Sequence, residues 1–142
     1  MELKVFSNRA EASDAAAQFI AANVRSILTN ASELLLAVPG GSTPRACLTL
    51  LGAQDLPWQN IAVTLTDERD VPRDHPDSNF GLLRDTVFAG QALTKRFVPL
   101  NEDAVSRTQH LPLVTLLGMG EDGHFASIFP DAAERDTLLD AG

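Results

Sequence analysis

Apolar side chains recur along the first thirty residues at intervals of three and four, the spacing of one face of a helix. This stripe consists of Ala12, Ala16, Phe19, Ile20, Val24, Ile27 and Leu28. Asn8 precedes the stripe and Glu11 follows three residues later, which is the arrangement of an N-cap with its reciprocal acidic residue. The pattern predicts an amphipathic helix that runs to about Thr29, after a short strand over residues 3–6.

Three further segments are predominantly apolar, at residues 34–38, 61–66 and 113–117. The first is a continuous run without polar alternation, which is typical of a strand buried on both faces of a parallel sheet. Each segment ends in a polar or glycine-rich cluster. Ligands of open α/β sheets bind beyond the carboxyl ends of the strands, so we expect the three clusters to converge.

Helix signals separate these strands. Thr43 as N-cap and Pro44 at the first helical position predict a helix that ends near Leu51. Further helices are predicted at two places, after a cap at Ser78 or Asn79 and over residues 131–140. Strands that alternate with helices predict an α/β fold with a mostly parallel sheet.

The chain has 142 residues, which is the size of a single domain spanning residues 1–142. Its formal net charge of −8 argues against nucleic acid or an anionic membrane as a partner. No apolar run approaches the length of a membrane span, and the first residues lack the features of a secretory signal. Cys47 is the single cysteine and cannot form an intrachain disulfide, so we expect a cytoplasmic protein.

The first cluster consists of Gly40, Gly41, Ser42 and Thr43. Two glycines let the backbone come close to a ligand, and the start of the following helix favours an anion such as phosphate. An ordinary glycine-rich turn between a strand and a helix would use the same residue types. The cluster matches neither the phosphate loop ending in Gly-Lys-Ser/Thr nor the dinucleotide pattern Gly-x-Gly-x-x-Gly, so a nucleotide is disfavoured.

The second cluster, Asp67, Glu68 and Arg69, mixes acids and a base at a strand end. Taken alone, such a cluster is more often a solvated loop than a functional site.

The third cluster brackets Asp122 and His124 with the glycines Gly118, Gly120 and Gly123. A histidine has an ordinary pKa near ~6.5, which suits a general base at neutral pH. A metal site is the alternative, but the chain offers only two other histidines and no cysteine at a suitable spacing. We therefore expect no metal.

These segments resemble the signature segments of 6-phosphogluconolactonases. The resemblance is carried by residues 37–44, by residues 66–69 with the later Ser78 and Asn79, and by residues 118–130, in the same order. It implies a Rossmann-like three-layer α/β/α sandwich, shared with glucosamine-6-phosphate deaminases and ribose-5-phosphate isomerases. The implied reaction is hydrolysis of 6-phospho-D-glucono-1,5-lactone to 6-phospho-D-gluconate in the pentose phosphate pathway, without a cofactor.

The same resemblance implies that His124 is the catalytic base and that Asp67 lies in the active site. The glycine cluster and Arg69 would hold the phosphate of the substrate. The full set of expected substrate-binding residues is Gly40, Gly41, Ser42, Thr43, Arg69, Gly120, Asp122 and Gly123.

Two features depart from the family pattern. Phe125 stands where the family usually has threonine. Family members also continue well past residue 142, so we expect an incomplete domain whose C-terminal part is missing.

A glucosamine-6-phosphate deaminase is the nearest alternative, but its Phe-Asn-Glu-Pro stretch carries a glutamate that is absent from residues 127–130. A non-catalytic remnant that binds sugar phosphates is the other alternative.

Overall fold

The computed structural model describes residues 2–89 and 96–139, and within these ranges four parallel strands form one sheet in the order β3-β2-β1-β4. The strands are β1 (Leu34–Val38), β2 (Ile61–Leu65), β3 (Arg96–Phe97) and β4 (Leu113–Thr115). The helices are α1 (Arg9–Leu28), α2 (Arg45–Gly52), α3 (Asn79–Asp85), α4 (Glu102–Thr108) and α5 (Arg135–Leu139). The parallel sheet with flanking helices confirms the predicted α/β class.

The centre of the core is the pairing of β1 with β2, which runs in register from Leu34 opposite Ile61 to Val38 opposite Leu65. All five residues of β2 are buried. Because side chains alternate between the two faces of a strand, both faces of β2 are covered, as expected for a parallel sheet.

Helix α1 begins as predicted, with Asn8 as its N-cap. The Oδ1 atom of Asn8 accepts a hydrogen bond from the backbone N–H of Glu11 at 2.9 Å. The predicted apolar stripe is wrong in one respect, because the side chain of Phe19 is 61% exposed whereas Ala17 and Ala21 are fully buried. Helix α1 packs against α2, and Ala17 and Ala21 belong to the buried core, whereas the ring centre of Phe19 lies 5.5 Å from Lys4 Nζ.

Several predicted boundaries are corrected. Residues 3–6 form no strand, and Leu3 and Val5 are more than four-fifths exposed, because no strand of the described residues lies beside them to complete a ladder. The N-cap of α2 is Pro44 rather than Thr43, since the carbonyl of Pro44 accepts the first helical hydrogen bond, from Leu48 N–H.

The third and fourth strands also differ from expectation. Strand β4 is shorter than predicted, although Leu116 N–H still donates to Ala37 C=O beyond its end. Strand β3 and helix α4 were not predicted, because neither has a clear hydrophobic period. The last helix begins only at Arg135, and residue 140 of its predicted range lies outside the described residues.

Candidate active site

The segments that follow β1, β2 and β4 meet at the carboxyl edge of the sheet and enclose a cleft of about 280 Å³. The three clusters singled out in the sequence therefore converge, as predicted from the strand order. The cleft is lined by Pro39, Gly40, Gly41, Ser42, Thr43, Pro44, Asp67, Arg69, Asn79, Gly118, Met119, Gly120, His124 and Ala126.

The glycine cluster after β1 forms a sharp turn into α2. Gly41 has a φ of +83°, which is a left-handed conformation that a side chain would strain. Gly40 lies so close to Asn79 that a Cβ at this position would overlap the Asn79 carboxamide. The hydroxyl-bearing residues Ser42 and Thr43 are exposed beside these glycines and line the cleft.

Asp67 follows β2 and is held by hydrogen bonds from three directions. Its Oδ2 atom accepts a bond from the Ser127 hydroxyl at 2.9 Å, across 60 positions of the sequence. Its backbone carbonyl accepts a bond from Asn79 Nδ2 at 3.0 Å. Thr66 Oγ1 lies 3.4 Å from Oδ1. The bond from Ser127 joins the second cluster directly to the third.

Glu68, next to Asp67, turns away from the cleft toward the start of α3. Its carboxylate accepts hydrogen bonds from the backbone N–H groups of Arg69, Asn79 and Phe80 and from the Ser78 hydroxyl, at 2.7–3.0 Å. Partial burial opposes the charged form, but these donors outweigh it and lower the pKa of Glu68 below its ordinary value. Glu68 thus ties the loop after β2 to α3.

His124 is oriented by Asp122 within the third cluster. The Nδ1 atom of the imidazole lies 2.5 Å from Asp122 Oδ1, which also accepts the backbone N–H of His124 at 3.2 Å. The hydrogen bonds from the backbone and the imidazole of His124 lower the pKa of Asp122. Because an ionised carboxylate only accepts, Nδ1 carries the hydrogen of the neutral imidazole, which leaves the lone pair on Nε2.

The glycines of the third cluster make this geometry possible. A Cβ at Gly120 would overlap the imidazole of His124, and Gly120 N–H donates to His124 C=O at 2.8 Å. Gly123 adopts a φ of +87°. The ring of Phe129 packs against the imidazole with centroids 4.7 Å apart and so limits its rotation.

A second cleft of about 430 Å³ adjoins the first and shares Gly41, Ser42, Arg69 and Asn79 with it. Arg45, Arg73 and Arg84 lie on its remaining wall together with three aspartates. The guanidinium of Arg73 lies 5.4 Å from the ring centre of Phe80 and 5.1 Å from that of Phe97. Arg69 faces both clefts and is therefore placed where the two meet.

Most of the residues predicted from the sequence line the first cleft, namely Gly40, Gly41, Ser42, Thr43, Asp67, Arg69, Gly120 and His124. Asp122 and Gly123 do not line it. Asp122 contacts the imidazole of His124 instead of facing the cleft.

Three contributors were not predicted as site residues: Glu68, Asn79 and Ser127. The signal for Asn79 was present, because the Ser78-Asn79 pair belongs to the segments that carry the family resemblance. Glu68 and Ser127 lie in those segments too, but their bonds to Asn79 and Asp67 join distant parts of the sequence, so these partners could not be predicted from it.

Residues 2–89 and 96–139 contain no group of three or more histidine, cysteine or carboxylate side chains that could hold a metal ion. In the same ranges, no helix combines the length and apolar character needed to cross a bilayer.

Comparison with known proteins gives a consistent assignment. The family described as "Glucosamine-6-phosphate isomerases/6-phosphogluconolactonase" matches residues 7–139. The 6-phosphogluconolactonase of Pseudomonas aeruginosa is 39% identical over 97% of this chain and 63% of its own length, and that of Neisseria meningitidis serogroup A is 37% identical over 95% and 64%. The chain thus spans less than two thirds of these relatives.

A solved structure agrees with these relatives. A provisionally assigned 6-phosphogluconolactonase of Neisseria gonorrhoeae superimposes with a TM-score of 0.84 at 36% identity, covering 96% of this chain and 66% of that one.

Proposed function

The chain belongs to the family of glucosamine-6-phosphate isomerases and 6-phosphogluconolactonases, and on this premise we propose that it hydrolyses 6-phospho-D-glucono-1,5-lactone to 6-phospho-D-gluconate in the pentose phosphate pathway. The observation that carries the proposal is that His124, held by Asp122, lines the same cleft as a glycine loop suited to phosphate. The cytoplasmic location expected from the single cysteine is part of the same proposal.

In this proposal the glycine loop and Arg69 bind the phosphate of the substrate. The left-handed turn at Gly41 and the exposed residues Ser42 and Thr43 precede the start of α2, and the N-terminus of a helix favours an anion. Arg69 supplies a permanent positive charge and several donors at the same wall. No protein group has to change its protonation state for phosphate to bind.

His124 acts as the general base. Its Nε2 atom removes a proton from a water molecule as the water oxygen attacks the C1 carbonyl of the lactone. The tetrahedral intermediate then collapses, the bond between C1 and the ring oxygen breaks, and the imidazolium returns the proton to that oxygen. Asp122 stabilises the imidazolium through Nδ1 and keeps Nε2 available in the neutral ring.

Asp67 has a supporting role in this scheme. Its carboxylate lines the cleft with His124, and the bond from Ser127 fixes its orientation. An ionised carboxylate has further lone pairs after accepting one bond, so Asp67 can accept a hydrogen bond from the attacking water and orient it.

The family description covers isomerases as well as lactonases, so membership alone does not choose between them. The deaminase pattern requires a glutamate shortly after the histidine. In this chain the corresponding stretch supplies Ser127, which donates to Asp67, and Phe129, which packs on the imidazole. Neither side chain is a carboxylate that could serve as an acid or base in deamination, which favours the lactonase.

The proposal is tested by following lactone hydrolysis at a pH where spontaneous ring opening is slow. We expect the chain to exceed the enzyme-free rate and His124→Gln to lower kcat by about 10²–10⁴-fold, since glutamine cannot transfer the proton. Binding of 6-phosphogluconate, measured by calorimetry, should change far less.

His110→Gln is the matched control, because His110 lines a different cleft beside α4. Its activity should equal that of the parent. Near-normal turnover in His124→Gln would remove this residue from the mechanism. Binding of 6-phosphogluconate without any turnover in the parent would favour the non-catalytic remnant, and ammonia release from glucosamine 6-phosphate would favour the deaminase.

A further inference from the structure

Asn79 lies on the wall shared by both clefts, although the proposed chemistry gives it no part. It is the first residue of α3 and is 7% exposed. Its side chain reaches back to the loop after β2, where Nδ2 donates to the Asp67 carbonyl at 3.0 Å. The same carboxamide packs directly against the Cα of Gly40, where it leaves no room for a Cβ.

Asn79 is therefore in contact with two functional segments at once. Gly40 begins the loop that is proposed to bind phosphate, and Asp67 is proposed to orient water. These segments follow neighbouring strands, so the carboxamide acts as a spacer between the two loops at the edge of the sheet.

Capping of α3 does not explain this side chain. The N-cap of α3 is Ser78, whose hydroxyl accepts from Phe80 N–H at 3.2 Å, and the Glu68 carboxylate accepts the N–H groups of Asn79 and Phe80. The start of the helix is thus satisfied without the Asn79 carboxamide. The helix propensity of asparagine is also no higher than that of most other residues, so propensity does not explain its place in the first turn.

We propose that Asn79 is a positioning residue, held in place by Glu68, that sets the distance between the phosphate-binding loop at Gly40 and the backbone of Asp67. The effect that we expect on lactone hydrolysis rests on the proposed lactonase function. A displacement of about 1 Å between reacting groups can cost up to about 10²-fold in rate, so the spacing affects turnover without any contact to the reacting atoms.

The test is a double-mutant cycle between Gly40→Ala and Asn79→Ala. Gly40→Ala alone forces its new methyl group into the carboxamide, whereas in the Asn79→Ala background that space is empty. We expect Gly40→Ala to lower the midpoint of thermal unfolding in the parent and to have little further effect after Asn79→Ala. Equal effects in both backgrounds would overturn the contact on which the proposal depends.

The functional arm compares Asn79→Ala with Asn8→Ala, which removes an asparagine that caps α1 far along the chain from the cleft. We expect Asn79→Ala to reduce kcat/KM for the lactone by about 10–100-fold and Asn8→Ala to leave it unchanged, even where the two lose similar thermal stability. Partial rescue of kcat/KM in Gly40→Ala by adding Asn79→Ala is also expected. Equal kcat/KM in Asn79→Ala and Asn8→Ala would show that Asn79 has only a structural role.

Failure of the proposed function is distinguishable from failure of this inference. If the parent hydrolyses no lactone, the unfolding cycle and the backbone amide NMR shifts of Gly40, Gly41 and Asp67 still decide the question. Asn79→Ala should move these three shifts and Asn8→Ala should not. Unmoved shifts in Asn79→Ala would reject the positioning role independently of catalysis.

Discussion

Helices α1 and α3 each begin beside a glutamate, but the two glutamates come from different distances along the sequence. At the start of α1, Glu11 lies three residues after the N-cap Asn8, accepts Asn8 Nδ2 at 2.9 Å and is exposed. At the start of α3, the carboxylate of Glu68 comes from ten to twelve residues upstream and accepts three donors, from Ser78, Asn79 and Phe80. The first arrangement stabilises one helix, whereas the second joins a loop of the candidate site to a helix.

The difference explains why α3 can be short and still well placed. A helix of seven residues is too short to be stable from its own hydrogen bonds, so it depends on contacts with the rest of the fold. Glu68 supplies one such contact at the end of α3 that faces the cleft, and the buried Leu82 and Leu83 supply another at the core. Helix α1, with 20 residues and a local cap, depends less on any single distant residue.

The largest expected effect is that of Glu68→Ala compared with Glu11→Ala. Removing Glu68 takes the acceptor from Asn79 N–H and leaves Phe80 N–H with only the Ser78 hydroxyl, so we expect a loss of about 2–3 kcal/mol in the free energy of unfolding. Glu11→Ala should lose only about 0.3–1 kcal/mol, typical of an acidic residue at an exposed helix start. Urea denaturation of both variants measures the loss in the free energy of unfolding. Equal losses in Glu68→Ala and Glu11→Ala would contradict the proposed difference between the two helix starts.

An intermediate effect is expected for Asn8→Ala. The variant loses the side-chain acceptor for Glu11 N–H, and such caps are worth about 1 kcal/mol. Lactone hydrolysis should stay at the parental rate because Asn8 is not part of the cleft. Any loss of activity beyond that explained by unfolded protein would show that α1 is coupled to the site more tightly than its contacts indicate.

The smallest expected effect concerns pH. Because hydrogen bonds lower the pKa of Glu68 below its ordinary value of 4.5, the folded chain binds this proton less readily than the unfolded chain. The stability from ionised Glu68 is fully present above that ordinary value and is lost as the pH falls through the folded pKa. The effect is modest because a protonated carboxyl still accepts bonds through one oxygen.

Thermal unfolding of the parent and Glu68→Gln across this acidic range measures the pH effect. The gap between the two melting temperatures should be widest above the ordinary pKa and should narrow as the pH falls. A gap that stays constant with pH would mean that the charge of Glu68 contributes nothing to stability. Glu11→Gln provides the comparison at the start of α1.

The sequence was sufficient for features that depend on near neighbours. The N-cap Asn8, the buried runs of β1 and β2 and the cap Ser78 each follow from residues a few positions apart, because helices and strands impose short periods on side-chain burial. The convergence of the three clusters was also predictable, since parallel strands place their carboxyl ends at one edge.

Other features depended on packing between distant segments. Phe19 and Ile20 are adjacent and both apolar, yet Phe19 is exposed and Ile20 lies in the core, because the packing of α1 against the rest of the fold covers only one of them. The Asp122–His124 contact is local by comparison, since it joins residues two positions apart, but it depends on the backbone conformation at Gly120 and Gly123, which the residue types alone did not specify.

The sequence by itself determined the class of fold, the order of the clusters and the residue types that the site contains. The tertiary structure alone decided that Glu68 caps a helix, that Ser127 holds Asp67 and that Asn79 separates two loops. The physical reason is the separation along the sequence over which each interaction acts. Periodicity and capping act over three or four residues, whereas these hydrogen bonds join groups 11 to 60 positions apart and form only after the sheet has brought its strand ends together.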